Sequence, residues 1–186
     1  MSDLVLQTKL TPPLVPQALV TRQHLLDRLD EGLTQAQGFG RKVTLISAPR
    51  GYGKTSLAVE WLQGAQMAYA WLALDEEDND PARFLVYLVA ALQGANDALG
   101  SEVPALLAAP QPPPAEMILT TLINQISQLG KPLILVLDDY HVIQLQPIQQ
   151  QMAFLVEHQP ECLHLVILSR EDSPLPLLSV KTSTIS

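Results

Sequence analysis

The stretch VTLISAPRGYGKTSLAVEWL, residues 43–62, decides the fold of this chain. It opens with a run of β-branched and apolar residues, which is typical of a strand buried on both faces. Its last part places Leu57, Ala58, Trp61 and Leu62 on one face of a helix. The sequence therefore predicts a buried strand, a tight bend with two glycines, and an amphipathic helix in direct succession.

The bend, residues 48–55, fits the broader form of the phosphate-binding loop, with alanine at the first glycine position. Glycines allow successive backbone N–H groups to converge on an anion at the start of the next helix. In this arrangement Lys54 reaches the β- and γ-phosphates and the Thr55 hydroxyl ligates Mg²⁺. An ordinary glycine-rich turn with an exposed lysine is the alternative interpretation. The predicted phosphate-loop contacts are Pro49, Arg50, Gly51, Tyr52, Gly53, Lys54, Thr55 and Ser56.

Three further residues extend the predicted site. Asp138 closes the apolar run LILVL, where its carboxylate is expected to hold Mg²⁺ opposite Thr55, and Asp139 is expected to act as the base in hydrolysis. Capping of the next turn is the alternative role for this acidic pair. Arg170 ends a later apolar run and is a candidate γ-phosphate sensor, although spacing alone favours a surface arginine.

Apolar runs alternate with helical patterns along the whole chain, which predicts a three-layer α/β fold with a mainly parallel sheet. A strand is expected between the phosphate-loop strand and the Asp138 strand. Thr21 and Asp80 are the predicted N-caps of two helices, with Pro81 in the first helical position. The expected organisation is an extended lead-in over 1–21, an ATPase domain over 22–178 with a proline-rich surface loop over 104–115, and a tail over 179–186.

The composition is that of an acidic chain with enough apolar residues for a buried core. Of its 186 residues 47% are apolar, and the mean hydropathy is +0.16. A net charge of −8 and a pI near 4.8 argue against a nucleic-acid-binding surface, because that affinity comes mainly from Lys and Arg. The single cysteine, Cys162, and four histidines show no zinc-site spacing. No apolar run is long enough to cross a bilayer. We therefore predict no membrane partner and a cytoplasmic location, and we interpret DEEDND (75–80) as a solvated loop.

The chain resembles the N-terminal ATPase module of MalT-like, LuxR-type transcriptional regulators, within the STAND (NB-ARC-like) branch of AAA-type P-loop ATPases. The resemblance rests on TKLTPPLVPQALVTRQHLLDRL, APRGYGKTSLAVEWL, AWLALDEEDNDPARFLVYLVAAL, LVLDDYHVI and LHLVILSREDSPLPL. It implies a signalling module switched by ATP and ADP with Mg²⁺, in which Val20 and Arg22 lie near the adenine. It also implies the roles given above for the phosphate loop, Asp138, Asp139 and Arg170.

The end of the chain departs from the family pattern, because a fifth strand, a helical sensor and a DNA-binding domain are all expected beyond residue 178. The sequence thus predicts a truncated relative with slow hydrolysis and a missing fifth strand. The uncovered edge of the phosphate-loop strand is then a possible site of self-association. Two other functions stay open: a free-standing P-loop kinase or hydrolase acting on a small molecule, and an inactive fragment serving as an interaction domain.

Overall fold

The computed structural model describes residues 5–15, 21–31, 33–35, 38–170 and 182–185. The helices are α1 (Gln23–Asp30), α2 (Lys54–Ala65), α3 (Pro81–Ala95), α4 (Val103–Leu107), α5 (Ala115–Leu129) and α6 (Gln146–His158). The central strands are β1 (Val43–Ser47), β2 (Ala68–Ala73), β3 (Leu133–Asp138), β4 (Leu163–Ser169) and β5 (Thr182–Ile185). Short 3₁₀ turns cover Gln7–Lys9, Glu76–Asp78 and Tyr140–Val142, and Thr34–Gln35 pairs with Gly38–Phe39.

The central strands form one parallel sheet in the order β2-β3-β4-β1-β5. Strand β4 therefore lies between β1, which precedes the glycine-containing bend, and β3, which ends at Asp138. All carboxyl ends of a parallel sheet lie at one edge, so the bend and Asp138 reach the same edge. The predicted α/β fold with a mainly parallel sheet is confirmed, and so is the inserted strand.

Helices cover both faces of this sheet. On one face, side chains such as Leu135 and Leu165 pack against α3, α5 and α6. On the other face, Ile134 and Val166 pack against α1 and α2. Alternate residues of each inner strand are thus buried on opposite faces of the sheet. For this reason the strands are apolar along their whole length, and not only at every second residue. The architecture has three layers, as predicted.

The fifth strand is present, so the prediction that it is missing was wrong. Residues Thr182–Ile185 pair in parallel with β1, with Val43 opposite Thr182 and Ile46 opposite Ile185. The Thr-Ser-Thr-Ile segment is short, but its β-branched residues suit a strand. The edge of β1 is therefore paired, and the reason for expecting self-association there is removed.

Several local predictions also need correction. Helix α1 begins at Gln23 after Arg22, with no side-chain cap, so Thr21 is not its N-cap. The proline-rich segment 104–115 is not all loop, since Val103–Leu107 form a short helix with Pro104 in its first turn, where proline costs no hydrogen bond. Asp80, by contrast, does cap α3 through the Arg83 N–H at 2.7 Å.

The acidic run 75–80 is not simply solvated, because Asp78 is completely buried. Its carboxylate accepts hydrogen bonds from the ammonium of Lys9, which is itself buried, and from Nε of Arg83 at 3.3 Å. Lys9 also reaches Asp75 at 2.9 Å. We call Lys9, Asp75, Asp78 and Arg83 the ion cluster. It anchors the Gln7–Lys9 turn, part of the predicted extended lead-in, to the connection between β2 and α3.

Among the described residues no helix is long and apolar enough to span a membrane.

Candidate functional site

The glycine-containing bend joins β1 to α2 in a conformation that requires glycine. Gly51 and Gly53 have φ values of 87° and 73°, a region that residues with a Cβ rarely adopt. A Cβ on Gly53 would also collide with the guanidinium of Arg22. Gly53 precedes α2 without a side-chain cap, so the first N–H groups of α2 stay available to a ligand. These features fit an anion-binding loop.

Lys54 is folded back over this loop. Its Nζ atom donates to the carbonyl oxygens of Ala48 at 2.7 Å and Pro49 at 3.1 Å. The ammonium group therefore lies at the loop itself, where an exposed lysine of an ordinary turn would extend into solvent. Its charge is in position to meet a bound phosphate.

Thr55 and Asp138 meet across the inserted strand. The Thr55 hydroxyl donates to the Asp138 carboxylate, with Oγ1 3.0 Å from Oδ2 and 3.2 Å from Oδ1. Asp138 also accepts the backbone N–H of Asp139 at 2.9 Å and is only 6% exposed. The site thus brings together the two residues that the sequence predicts for Mg²⁺.

The donor set fits Mg²⁺ rather than a metal held by protein alone. Mg²⁺ prefers hard oxygen ligands and is usually held by one or two carboxylates together with phosphates and water. A hydroxyl and a buried carboxylate at Thr55 and Asp138 supply that chemistry. Among the described residues no group of three or more His, Cys, Asp or Glu side chains is arranged to hold a metal.

The buried position of Asp138 has an electrostatic consequence. Burial, and next the charge of Asp139, raise the pKa of Asp138 from 3.8 to about 6, although hydrogen bonds from Thr55 and the Asp139 N–H oppose the rise. A folded-state pKa above the unfolded value means that the folded chain binds this proton more tightly. The resulting stability is present below the unfolded pKa of 3.8 and is lost as the pH rises through about 6.

Replacing Asp138 with Asn should therefore stabilise the nucleotide-free chain at neutral pH. We expect Asp138→Asn to raise the melting temperature by roughly 3–8 °C at pH 7.5, and by much less near pH 4, where the native carboxyl is already protonated. Differential scanning calorimetry at the two pH values measures this. Asp97→Asn, at an exposed side chain that follows α3, is the matched control and should show no such gain. An equal gain at both pH values would contradict the assignment.

Asp139, His141 and Arg170 gather beside this pair. Asp139 has a left-handed backbone, with φ of 56°, and its Oδ1 lies 3.8 Å from Nδ1 of His141. The pKa of His141 is lowered, first by burial and then by the positive charge of Arg170; the Asp139 carboxylate opposes this change and Lys54 adds a smaller lowering. Charged groups from three separate strands and their loops therefore act on one imidazole. Arg170 is exposed at the end of β4, on the same sheet edge.

Sequence reasoning missed His141. The histidines were considered only as zinc ligands, for which their spacing is wrong. The available signal was position, because His141 follows the acidic pair within one 3₁₀ turn. Its Nδ1 is buried and has no hydrogen-bond partner, so a donor or acceptor at this edge is left unsatisfied.

The remaining predicted contacts surround the loop. The Arg22 guanidinium donates to the carbonyl oxygens of Tyr52 at 2.8 Å and Gly53 at 3.0 Å, which joins the start of α1 to the bend. Arg50 and Tyr52 are exposed and Ser56 is partly buried. Val20, the other residue predicted near the adenine, lies outside the described residues. Adenine contact by Arg22 stays a prediction.

The fold and the site together define a P-loop NTPase. A family described as "AAA ATPase domain" matches residues 18–168. This range covers most of the chain, which therefore belongs to the AAA ATPase domain family.

Curated proteins similar to this chain include transcriptional regulators from two bacteria. The chain is 36% identical over 178 residues to the HTH-type transcriptional regulator MalT of Serratia proteamaculans (strain 568), which is 96% of this chain and 19% of that protein. It is 37% identical over 178 residues to the same regulator of Yersinia enterocolitica, again 96% and 19%. The chain thus spans about a fifth of the length of these curated relatives.

Two solved structures share the fold. Cdc6p from Pyrobaculum aerophilum superimposes with a TM-score of 0.61 at 15% identity, over 98% of this chain and 49% of that one. The Aeropyrum pernix ORC1 protein, solved in complex with DNA, gives 0.55 at 17% identity, over 92% and 46%. At such low identities these similarities establish the fold alone.

Proposed function

We propose that this chain is the nucleotide-binding module of a STAND-type signalling ATPase related to MalT-like, LuxR-type regulators. The observation that carries the proposal is the direct contact of Thr55 with Asp138 across the inserted strand, beside Lys54 on a glycine-containing loop. An ordinary turn has no need of this combination. Similarity to the MalT regulators over nearly the whole chain supports the assignment to a signalling protein rather than to a metabolic kinase.

The proposed chemistry assigns one task to each group. Backbone N–H groups of residues 50–56 and the Lys54 ammonium bind the phosphates of ATP or ADP. Thr55 and Asp138 hold Mg²⁺, which neutralises charge on the phosphates when bound. Asp139 orients and deprotonates the attacking water, His141 lies beside the Asp139 carboxylate with Nδ1 3.8 Å from Oδ1, and Arg170 contacts the γ-phosphate. Because the Asp139 side chain is largely exposed in this state, we propose that hydrolysis is slow.

The proposed site and the charge of the chain also indicate which molecules it binds. We propose nucleotide as the ligand of this chain, in a cytoplasmic setting. With a net charge of −8, this chain is not expected to bind DNA. We propose that in the full-length relatives DNA binding belongs to segments beyond the part that this chain matches.

Nucleotide binding should give a large thermal shift. At a ligand concentration of about 100 times Kd, binding to the folded state alone adds roughly 2.7 kcal/mol to the free energy of unfolding. For a domain of this size that corresponds to an increase in melting temperature of about 5–10 °C with ADP or with Mg²⁺ and ATP. Scanning fluorimetry measures the shift, and adenosine without phosphates is the control. No shift with either nucleotide, together with no nucleotide in the natively purified protein, would contradict the proposed function.

A further inference from the structure

A single side chain connects the two loops at the carboxyl edge of β2 and β3. Asn79, just after the Glu76–Asp78 turn, donates from Nδ2 to the carbonyl oxygen of Val142 at 2.7 Å and to that of Glu76 at 3.2 Å. Its Oδ1 accepts the backbone N–H groups of Gln144 at 2.8 Å and Leu145 at 3.2 Å. A carboxamide has two donors and two acceptor sites, so all four are used.

The orientation of this amide is fixed by its neighbours. Two carbonyl oxygens face Nδ2 and two N–H groups face Oδ1, so turning the amide over would place like groups against each other on both sides. Helix α6 has Leu145 at its N-cap position, a residue with no polar side chain to cap it. Asn79 instead fixes the backbone immediately before α6, because its Oδ1 accepts the N–H groups of Gln144 and Leu145.

The segment that Asn79 holds is the one that bears the reacting groups. Asp139, Tyr140, His141 and Val142 form one tight turn, in which the Val142 N–H donates to the Asp139 carbonyl at 3.1 Å. The turn begins with the left-handed backbone of Asp139 and ends at the carbonyl that Asn79 binds. Fixing Val142 therefore limits where Asp139 and His141 point relative to Thr55 and Lys54.

The turn that precedes Asn79 is itself held in place by several contacts. Asp75 and Asp78 form a reciprocal capping box around the Glu76–Asp78 turn, and Asp78 is buried in the ion cluster. The N–H of Leu74 also donates to the carbonyl of Asp138 at 3.0 Å, which joins the same two loops at their starts. Asn79 thus links the turn that carries Asp139 to the buried ion cluster.

We propose that Asn79 is a positioning residue for ATP hydrolysis, which sets the geometry of Asp139 and His141 without contacting nucleotide. The inference rests on the proposed function, since it presupposes hydrolysis at this site. It gives a role to one residue of the DEEDND run, which the sequence predicts to be a solvated loop. Its signature is a loss of turnover with nucleotide affinity retained.

Three variants of the full chain test this. Asn79→Ala removes all four hydrogen bonds, and Asn79→Asp keeps the acceptor but not the donors. Asn96→Ala is the matched control, because Asn96 follows α3 and its side chain accepts the local N–H of Ala98 at 3.0 Å. We expect both Asn79 variants to slow single-turnover hydrolysis of saturating Mg²⁺-ATP by about tenfold to a hundredfold, since small displacements of reacting groups cost this much. Kd values for ADP and ATP should stay within about threefold, and Asn96→Ala should change neither quantity.

A measurement on the nucleotide-free chain is independent of turnover. Hydrogen exchange of the peptide that contains residues 139–145 should become faster in Asn79→Ala, because the amides of Gln144 and Leu145 lose their acceptor. In Asn79→Asp these two amides should stay protected while hydrolysis is still lost, a separation that general destabilisation does not produce.

The outcomes separate the two proposals. Wild-type turnover per bound ATP in Asn79→Ala, or a joint loss of affinity and turnover in that variant, would overturn the positioning role. Neither result would contradict the proposed function, because the wild-type chain would still bind nucleotide. A wild-type chain that binds nucleotide but never hydrolyses it would do the same. A wild-type chain that binds no nucleotide would overturn the proposed function and the positioning role with it, whereas the exchange measurement would still report whether Asn79 braces the turn.

Discussion

Lys54→Ala should lower the affinity of the chain for ATP and ADP by at least about 100-fold and leave the fold intact. The reason is that the ammonium lies at the glycine-containing bend, where it would make charge-assisted hydrogen bonds to phosphate. Without nucleotide, Lys54 donates hydrogen bonds to two loop carbonyls, and it is not among the buried core side chains of the described residues. The melting temperature of the empty chain should therefore change by no more than about 2 °C. Isothermal titration calorimetry and scanning fluorimetry measure the two effects.

Lys131→Ala is the control for this prediction. Lys131 is an exposed lysine that follows α5, so its loss removes the same charge from the chain without touching the bend. We expect its nucleotide affinity to match the wild type. If Lys54→Ala bound ADP as tightly as Lys131→Ala while remaining folded, the bend would be an ordinary turn and the assignment of the phosphate loop would fail.

Asp78→Ala should strongly destabilise the folded chain. It leaves the buried ammonium of Lys9 with Asp75 alone, and it removes the acceptor of Arg83 Nε. Removing one partner of a buried ion pair costs about 3–5 kcal/mol when the other charge loses its compensation. Asp75 compensates the Lys9 ammonium only in part, because its side chain is about half exposed. For a domain of this size the melting temperature should fall by on the order of 10 °C. Urea unfolding followed by circular dichroism measures the change in the free energy of unfolding.

Two further variants show whether the ion cluster is the cause. Asp97→Ala removes a carboxylate from an exposed position after α3 and should cost less than about 0.5 kcal/mol. Adding Lys9→Met to Asp78→Ala should recover part of the lost stability, since the buried ammonium that Asp75 compensates only in part is then removed. A loss in Asp78→Ala no larger than that in Asp97→Ala would show that Lys9 escapes to solvent when its partner is removed.

The features that could be predicted from the sequence are those set by residues close together in the chain. The bend could be predicted because it needs glycines at two left-handed positions, and the strands because burial on both faces leaves only apolar residues. Asp80 could be predicted as a cap because it stands one residue before a proline at the start of a helical pattern. Each of these features is specified by a few neighbouring residues.

The features that sequence reasoning missed depend on residues far apart in the chain. Asp78 looks solvated among five other acidic or amide residues, and only the approach of Lys9 explains its burial. Asn79 is one more polar residue of that run until the loop after β3 is placed beside it. The four residues of β5 are too few to give a periodic pattern, and they become a strand because β1 offers them an unpaired edge. Contacts of this kind follow from topology rather than from local pattern.

The position of β1 in the sheet has a consequence for the order in which the protein folds. Both strands that pair with β1 come late in the chain, since β4 begins at Leu163 and β5 at Thr182. During synthesis on the ribosome, β1 and the bend that follows it therefore emerge long before β4 and β5 have been made. Contacts of such large sequence separation form slowly, because loop-closure entropy is lost before they are made. The pairing of β2 with β3 needs no later strand, so the part of the sheet that bears Asp138 can assemble first and the phosphate loop is fixed last.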